Sequence, residues 1–442
     1  MSRLIVGHVA HQSARIWVRG SKTHPVAELE VRGSGGPLSA KPITLEERHF
    51  FTGVFEVDGL AQDEEYSCSV TFLGAQDSTQ RFVPKYASGA FRTSPTPGTQ
   101  TPFKFLLLSC NLHSLGVVTS PDAAYRKLSA MGKESKARFA IHAGDQIYYD
   151  VPRWGRDPDV DDYRNTYLDA WEDCEPAAEF LTELPHYMIL DDHEIIDNFA
   201  NDHAISSGSP PYLQLALATK AYREFQHMHN PQSFGSGPLY YKFDAGNAHF
   251  FVFDTRTERY GKPPGNQMIS PEQLGRFRSW LKANSAEQLF VVSSVPFVTN
   301  VRQSDDKWSS QPYRAQREQI LDLIWKFEAR RVCFLTGDMH NSHHATLTLS
   351  GDGQSDIVVH ELMSSPVNQL GKNRIDKYAT GAEPPVDQKL PFRYSTRIVK
   401  KEFFTGHSSA MVISVTKAKV GYEVYRTKKE AMKVEMSGTF AL

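Results

Sequence analysis

Cysteine is scarce in this chain. Cys68, Cys110, Cys174 and Cys333 stand far apart in 442 residues, with no Cys-x-x-Cys pair among them. That spacing excludes a disulfide-dense scaffold and points to free thiols in a reducing compartment. Neither sign of charge is in excess, with 49 Lys and Arg against 51 Asp and Glu, and no basic or acidic tail stands out. Composition therefore gives no reason to expect a stable nucleic-acid or membrane partner. No apolar stretch approaches the roughly 20 residues of a membrane span. The opening "MSRLIVGHVAHQSARIW" has no apolar run of signal-peptide length. The expectation is a cytoplasmic protein, or a periplasmic or secreted one if a leader has been removed. A G-x-S-x-G elbow and a G-x-x-x-x-G-K-[ST] loop are also missing, which argues against a serine hydrolase and a P-loop enzyme. Nothing in the sequence specifies an oligomeric state.

What the chain does contain changes character along its length. Residues 1–94 read as all-β. In "ARIWVRG", Ala14, Ile16 and Val18 alternate with Arg15, Trp17 and Arg19; in "YSCSVTF", Tyr66, Cys68, Val70 and Phe72 alternate with Ser67, Ser69 and Thr71. That is the period of half-buried strands. "DGLAQDEEYSCSV" resembles the turn and tyrosine strand of fibronectin type III or immunoglobulin-like sandwiches, which implies a β-sandwich here. Residues 95–102, rich in Pro, Thr and Gly, read as a linker. Residues 103–442 read as an α/β domain. Its apolar runs are "FKFLLLS" (103–109), "ARFAIHAG" (137–144), "HYMILDD" (186–192), "AHFFVFDT" (248–255), "QLFVVSS" (288–294) and "RVCFLTG" (331–337), alternating with helical segments. "SPEQLGRFRSWLKAN" opens with Ser270 as N-cap, Pro271 at the first helical position and Gln273 closing a capping box. "PYRAQREQILDLIWKFEARR" places Ile320, Leu323, Ile324 and Phe327 on one stripe. The C-terminal part returns to strands, so a mixed sheet, or a second sheet packed on the first, is expected. Residues 200–238 and 364–405 are polar and rich in Gly and Pro, and read as insertions that shape a substrate site.

The apolar runs share an ending. The first delivers Ser109, Cys110 and Asn111. The second delivers Gly144 and Asp145, then Tyr148 and Tyr149. The third delivers Asp191, Asp192, His193 and Glu194, and the run at 331 delivers Gly337, Asp338 and His340. Ligand sites of open α/β sheets lie beyond the carboxyl ends of their strands. Carboxylates and imidazoles suit hard or borderline divalent ions. Two such ions, roughly 3.5–4 Å apart, activate water and stabilise an in-line displacement at phosphorus.

Gly144-Asp145, Asp192-His193-Glu194 and Gly337-Asp338-x-His340 resemble the split motif of calcineurin-like metallophosphoesterases. The detailed form resembles the PhoD-like alkaline phosphatases. "SCN" (109–111), "HAGDQIYYD" (142–150), "LDDHEIIDNF" (190–199), "FDTRTERY" (253–260), "DDKWSSQPYRAQREQIL" (305–321) and "GDMH" (337–340) carry that likeness, as does the N-terminal "VGHVAHQSARIWVRG". The resemblance implies a two-sheet αββα metallophosphoesterase domain behind the sandwich, and hydrolysis of a phosphate ester as substrate. It implies metal ligation by Cys110, Asp145, Tyr148, Asp192, Asn198, Asp338 and His340, with Asp145 bridging. It implies catalytic roles for Asp192 and for His193, as general acid or as a stabiliser of phosphoryl oxygens. Iron(III) beside calcium is the implied metal content, with manganese or zinc as the alternative. Two departures from the wider superfamily, Cys110 and Leu112 for its Asp-x-His and Ser293-Ser294 where it has a His, are shared with the PhoD-like branch.

Other residues have competing readings. Cys110 also fits a small buried hydrophobe, and Asn198 a loop cap. The family spacing alone selects Tyr148 over Tyr149. Arg256 reads either as a substrate-phosphate clamp or as a structural partner of Asp254 near the surface, and Arg259 is placed similarly. His142 reads as a core histidine, His343, His344 and His360 as bystanders, and "HMH" at 227–229 as a metal-like pattern in a variable stretch. Monoester and diester hydrolysis are not separated, and phospholipid, teichoic-acid-like polymer or nucleotide are possible diester substrates. The non-enzymatic alternative is a phosphate-ligand-binding protein with a degenerate site.

Overall fold

The computed structural model describes residues 4–77, 79–114, 120–151, 158–201, 210–263 and 265–442. Two antiparallel sheets form the N-terminal part. One joins Leu4–Val9, Ser13–Arg19 and Thr52–Asp58; the other is built on Val26–Gly33 and Glu65–Leu73. Ile16, Val18, Leu29, Val70 and Phe72 fill the space between them. The alternation in Ser13–Arg19 does not end in solvent, because Trp17 and Arg19 are also buried. Trp17 Nε1 donates to the Glu224 carbonyl at 2.7 Å, and Arg19 holds the Glu172 carboxylate through two 2.5 Å hydrogen bonds. The outer face of this sheet is thus covered by the rest of the chain.

Residues 103–442 place two sheets face to face. The six-stranded sheet runs His186–Ile189, Ala140–Ala143, Phe103–Leu108, Ser409–Val415, Lys419–Arg426, Val434–Ala441; its first three strands are parallel. The eight-stranded sheet contains the parallel series Ala248–Val252, Gln288–Ser293, Val332–Thr336, Ile357–Met363. Phe105, Ile141, Phe250, Phe290 and Leu335 pack between the sheets. Helices Pro271–Asn284 and Arg314–Lys326 cover the outside of the larger sheet, and Pro121–Ser135 and Glu175–Glu183 the outside of the smaller. The result is a mixed α/β fold with multiple sheets, layered helix, sheet, sheet, helix.

Three expectations need correction. The capping box at Ser270 is half formed: Ser270 Oγ accepts from Gln273 N at 3.2 Å, but the Gln273 amide binds the backbone of Asp254 and the Glu258 carboxylate instead of returning to Ser270. Glu258 accepts the Ser270 N–H in its place. Residues 364–405 are not all insertion, since Phe392–Phe404 is a 13-residue strand of the eight-stranded sheet. Within 200–238, residues 202–209 lie outside the described residues, while helix Pro210–Phe225 buries Ala218, Ala221, Tyr222 and Phe225 against Trp17, Tyr167 and Ile195. That helix is a wedge between the N-terminal sheets and the strand ends.

His142 is a core histidine. It is hydrogen-bonded to Gln146 at 2.5 Å and to His186 at 2.9 Å, and burial lowers it to about 4 and His186 well below its ordinary value. Both rings are therefore neutral in the folded chain at pH 6, where an unfolded histidine binds a proton. Stability from this pair is complete above about pH 6.5 and is lost as pH falls toward 4, because the unfolded rings take up protons that the folded ones do not. Urea midpoints should drop between pH 7 and pH 5, and His142→Leu should remove about one proton of that slope.

Candidate metal centre

The parallel strands of both sheets point their carboxyl ends at one place. Two glycines allow the approach. A Cβ on Gly144, whose φ is +93°, would lie 2.6 Å from the Asp191 Cβ; one on Gly337 would lie 2.5 Å from the Ala143 carbonyl oxygen and from Ser109 Oγ. Gly337 therefore ends its strand where the larger sheet touches the smaller one, and Asp338 follows at the contact. The chain bends sharply there. Cys110, Asp145, Asn198, Asp338 and His340 all have φ between 49° and 71°. Left-handed backbone is uncommon for non-glycine residues and persists where the surroundings over-determine it, typically at functional sites. Five of the seven expected metal ligands share it.

Glu194 supplies part of that determination. Its buried carboxylate accepts the backbone N–H groups of Asp145 (3.1 Å), Gln146 (2.6 Å) and Asp191 (2.9 Å), and the Gln226 amide at 3.1 Å. It ties two strand ends to the wedge helix. Sequence reasoning gave Glu194 no role, although a carboxylate inside the Asp-Asp-His-Glu run was visible.

Among the described residues two groups of donor atoms, each within 4.8 Å of one another, result: Asp145, Asp192 and His193; and Asp191, Asp192 and Asp338. Asp192 belongs to both, whereas Asp145, expected to bridge, belongs to one. Asp145 Oδ2 accepts from Cys110 Sγ and from the Tyr148 hydroxyl, each at 3.3 Å. Tyr149 instead stacks on Tyr163, away from Asp145, with ring centroids 3.8 Å apart. The Tyr148 ring stacks on His193 at 4.0 Å, and His193 Nδ1 is 2.7 Å from Asp150 Oδ1. Asn198 donates its backbone N–H to Asp192 Oδ2 at 2.6 Å, and its side-chain amide binds Asp197 at 3.1 Å. His340 belongs to neither group of three; its backbone N–H donates to Ser365 Oγ at 3.1 Å.

Arg256 lies buried rather than near the surface. Its guanidinium has no exposed surface. It hydrogen-bonds to Asp191 and lies 3.6 Å from Asp192 Oδ1 and 3.4 Å from Asp306 Oδ2. Only its backbone N–H binds Asp254. A planar cation enclosed by three carboxylates holds them in place. Arg259 is buried likewise, bonded to the Thr255 and Asp306 carbonyls. Lys307, which sequence reasoning did not single out, puts Nζ 2.5 Å from Asp338 Oδ2 and 2.7 Å from Asp306 Oδ2. His227 and His229 are buried beside the N-terminal sheets, outside both donor groups. His343 is bonded to Asn341 and Glu361, and His344 to Glu402 and His360, all away from the groups.

The electrostatics call for positive charge. Burial, then Asp192, Asp191 and Glu194, push the Asp145 carboxyl well above its ordinary value against the pull of His193. Burial raises Asp338 to about 7 even with Lys307 opposing. Asp192 is held below the usual range, where Arg256, His193 and Lys307 outweigh burial. Burial opposes a charged His193, but Asp150, Asp145 and Asp192 overcome it and raise the ring to about 10. Burial lowers His340 to about 3, leaving a neutral imidazole able to ligate. Burial and Asp145 keep Cys110 and Tyr148 protonated without a cation. Asp145 Oδ1, Asp191 Oδ2 and Asp192 Oδ1 are buried and accept no hydrogen bond. Such orphaned carboxylate oxygens are costly unless a cation takes them, so the donor set fits metal ions.

The family model for PhoD-like phosphatases matches residues 105–432. The chain belongs to the PhoD-like phosphatase family. It is 30% identical over 300 residues to alkaline phosphatase D of Bacillus subtilis (strain 168), covering 59% of this chain and 49% of that one. The chain thus spans about half the length of this curated relative. A solved structure of PhoD superposes with a TM-score of 0.75 at 20% identity, covering 99% of this chain and 89% of that chain. A purple acid phosphatase, PPD1 from yellow lupin (Lupinus luteus) seeds, gives 0.65 at 10% identity, over 99% of this chain and 74% of that one. Both likenesses establish the fold. All six apolar runs and both donor groups fall within the PhoD-like match, except for the first two residues of the run at 103.

Proposed function

We propose that this chain is a metal-dependent hydrolase of phosphate esters. The observation that carries the proposal is the pair of donor groups sharing Asp192, with buried carboxylate oxygens that accept no hydrogen bond. The carboxylate group of Asp191, Asp192 and Asp338 suits a hard ion such as calcium. Asp145 with the Cys110 thiol, the Tyr148 phenol and the His340 imidazole suits iron(III), with zinc or manganese as the alternative. Bound ions supply Lewis-acid charge at the phosphoryl oxygens and lower the pKa of water. The chain's own residues do the rest. Asp150 orients the His193 ring through Nδ1, leaving Nε2 to hold a proton for the leaving oxygen or to bond a phosphoryl oxygen. Glu194 fixes the backbone of Asp145 and Asp191, and Arg256 fixes the carboxylates of Asp191 and Asp192.

The same proposal divides the chain into a sandwich at 1–94, a linker at 95–102 and a catalytic unit at 103–442. Tyr66 supports an immunoglobulin-like reading of the first part, because its hydroxyl accepts the Ala61 N–H at 2.8 Å, as a tyrosine corner does. Among the described residues no helix is long and apolar enough to cross a membrane.

The test is turnover with metal content. Purified protein should hydrolyse p-nitrophenyl phosphate or bis-p-nitrophenyl phosphate, lose activity in chelator and regain it with added ions. The ratio of the two rates assigns monoester or diester preference. A visible charge-transfer band with iron by elemental analysis would assign Cys110 or Tyr148 to iron(III). No turnover of either ester with any metal would leave the phosphate-binding alternative.

A further inference from the structure

The two donor groups differ in how their charge is already met. Asp145 faces a thiol and a phenol, groups that can give up protons to a bound cation, and shares its group with the His193 imidazole. The second group is served by two permanent cations: Arg256 on Asp191 and Asp192, and Lys307 on Asp338. Lys307 is nearly inaccessible to water and is anchored from behind by Asp306. Its Nζ is ion-paired with Asp338 Oδ2 at 2.5 Å, and Asp338 shares its group with two further carboxylates.

We propose that Lys307 is a tethered ammonium that competes with the second metal ion for Asp338, so that the Asp145 side of the centre fills first and tightly and the Asp338 side fills weakly. It is a positioning residue that sets the order and affinity of loading, and it rests on the metal-centre reading above. An ion entering the second group displaces Nζ from Asp338 toward Asp306. A compact, flexible ammonium suits that exchange better than a rigid guanidinium.

The experiment is calorimetric titration of the full chain, stripped with chelator, with calcium and separately with manganese chloride, together with elemental analysis at each plateau. The wild-type chain should show a tight and a weak class. Lys307→Met should tighten the weak class at least tenfold and move the tight class less than threefold, and Lys307→Arg should keep the weak class weak. Asp306→Asn, which removes the rear anchor and leaves the ammonium to Asp338, should weaken it further. A merely structural lysine would not give opposite signs in Lys307→Met and Asp306→Asn. If Lys307→Met fails to fold, the Lys307→Gln chain is read in the same way. An unchanged or weakened second class in the neutral variant overturns this proposal alone. A wild-type chain that takes up no ion overturns the metal-centre reading and this proposal with it.

Discussion

Replacing Asp145 with Asn is expected to lower turnover by more than about 100-fold while raising the melting temperature of the chelated protein. The two effects come from one fact. Without a cation, the Asp145 carboxyl is buried beside Asp192, Asp191 and Glu194, and burial with these neighbours makes its charge costly. An amide has the same shape, keeps an oxygen to accept from Cys110 and Tyr148, and tolerates the φ of 56°. It removes the repulsion, so the metal-free fold should gain stability, with a rise on the order of 2 °C. An amide is also a poor ligand for a highly charged ion. Loss of residues that only support a ligand costs about 10–100-fold, and loss of the ligand itself should exceed that. Active sites commonly trade stability for function in this way. Differential scanning calorimetry in chelator and kcat with p-nitrophenyl phosphate check both halves. Full turnover in Asp145→Asn, or a lower melting temperature in chelator, would remove Asp145 from the centre.

The parts of this site that were readable from sequence share a physical property. Strands such as Val332–Thr336 are short, apolar up to their last residue and buried on both faces, so their ends announce themselves where the apolar run stops before Gly337 and Asp338. The parallel topology then brings those ends together, and Cys110, Asp145, Asp192 and Asp338 follow. Lys307, Arg256 and Glu194 were not readable in the same way. Each is a charged residue, expected at the surface, with a decisive partner tens of residues away: Asp338 for Lys307, Asp191 for Arg256, and Asp145 for Glu194. The strand Phe392–Phe404 was hidden differently. Phe392, Tyr394, Thr396 and Ile398 alternate inward with period two, but Arg393 and Arg397 between them, with Lys400 and Lys401 beyond, gave the stretch a loop's polarity. The outward residues Trp17 and Arg19 misled in the opposite sense. Their alternation predicted a solvated face, and the covering groups, Glu224 and Phe225 of the wedge helix over Trp17 and Glu172 over Arg19, come from far along the chain.

Arg256→Met should be the most destabilising single change at the centre, by about 3–5 kcal/mol in the chelated protein. The guanidinium has no exposed surface and lies among Asp191, Asp192 and Asp306, and it also donates to the Phe199 carbonyl. Removing it leaves buried carboxylates facing one another with Lys307 and Arg259 as the remaining permanent cations beside them. Arg256→Lys should recover part of the loss, because one ammonium cannot meet the separated oxygens that a planar fork reaches. Bound metal should narrow the gap between variant and wild type, since ions that bind only the folded chain add stability by mass action and supply the missing charge. Urea midpoints in chelator and in excess calcium measure this directly. The same variants separate a structural cation from a phosphate clamp. A clamp predicts a higher KM at unchanged urea midpoint. A buried cation that orders Asp191 and Asp192 predicts a large fall in midpoint, weaker metal retention and a lower kcat, with KM for p-nitrophenyl phosphate nearly unmoved in Arg256→Lys.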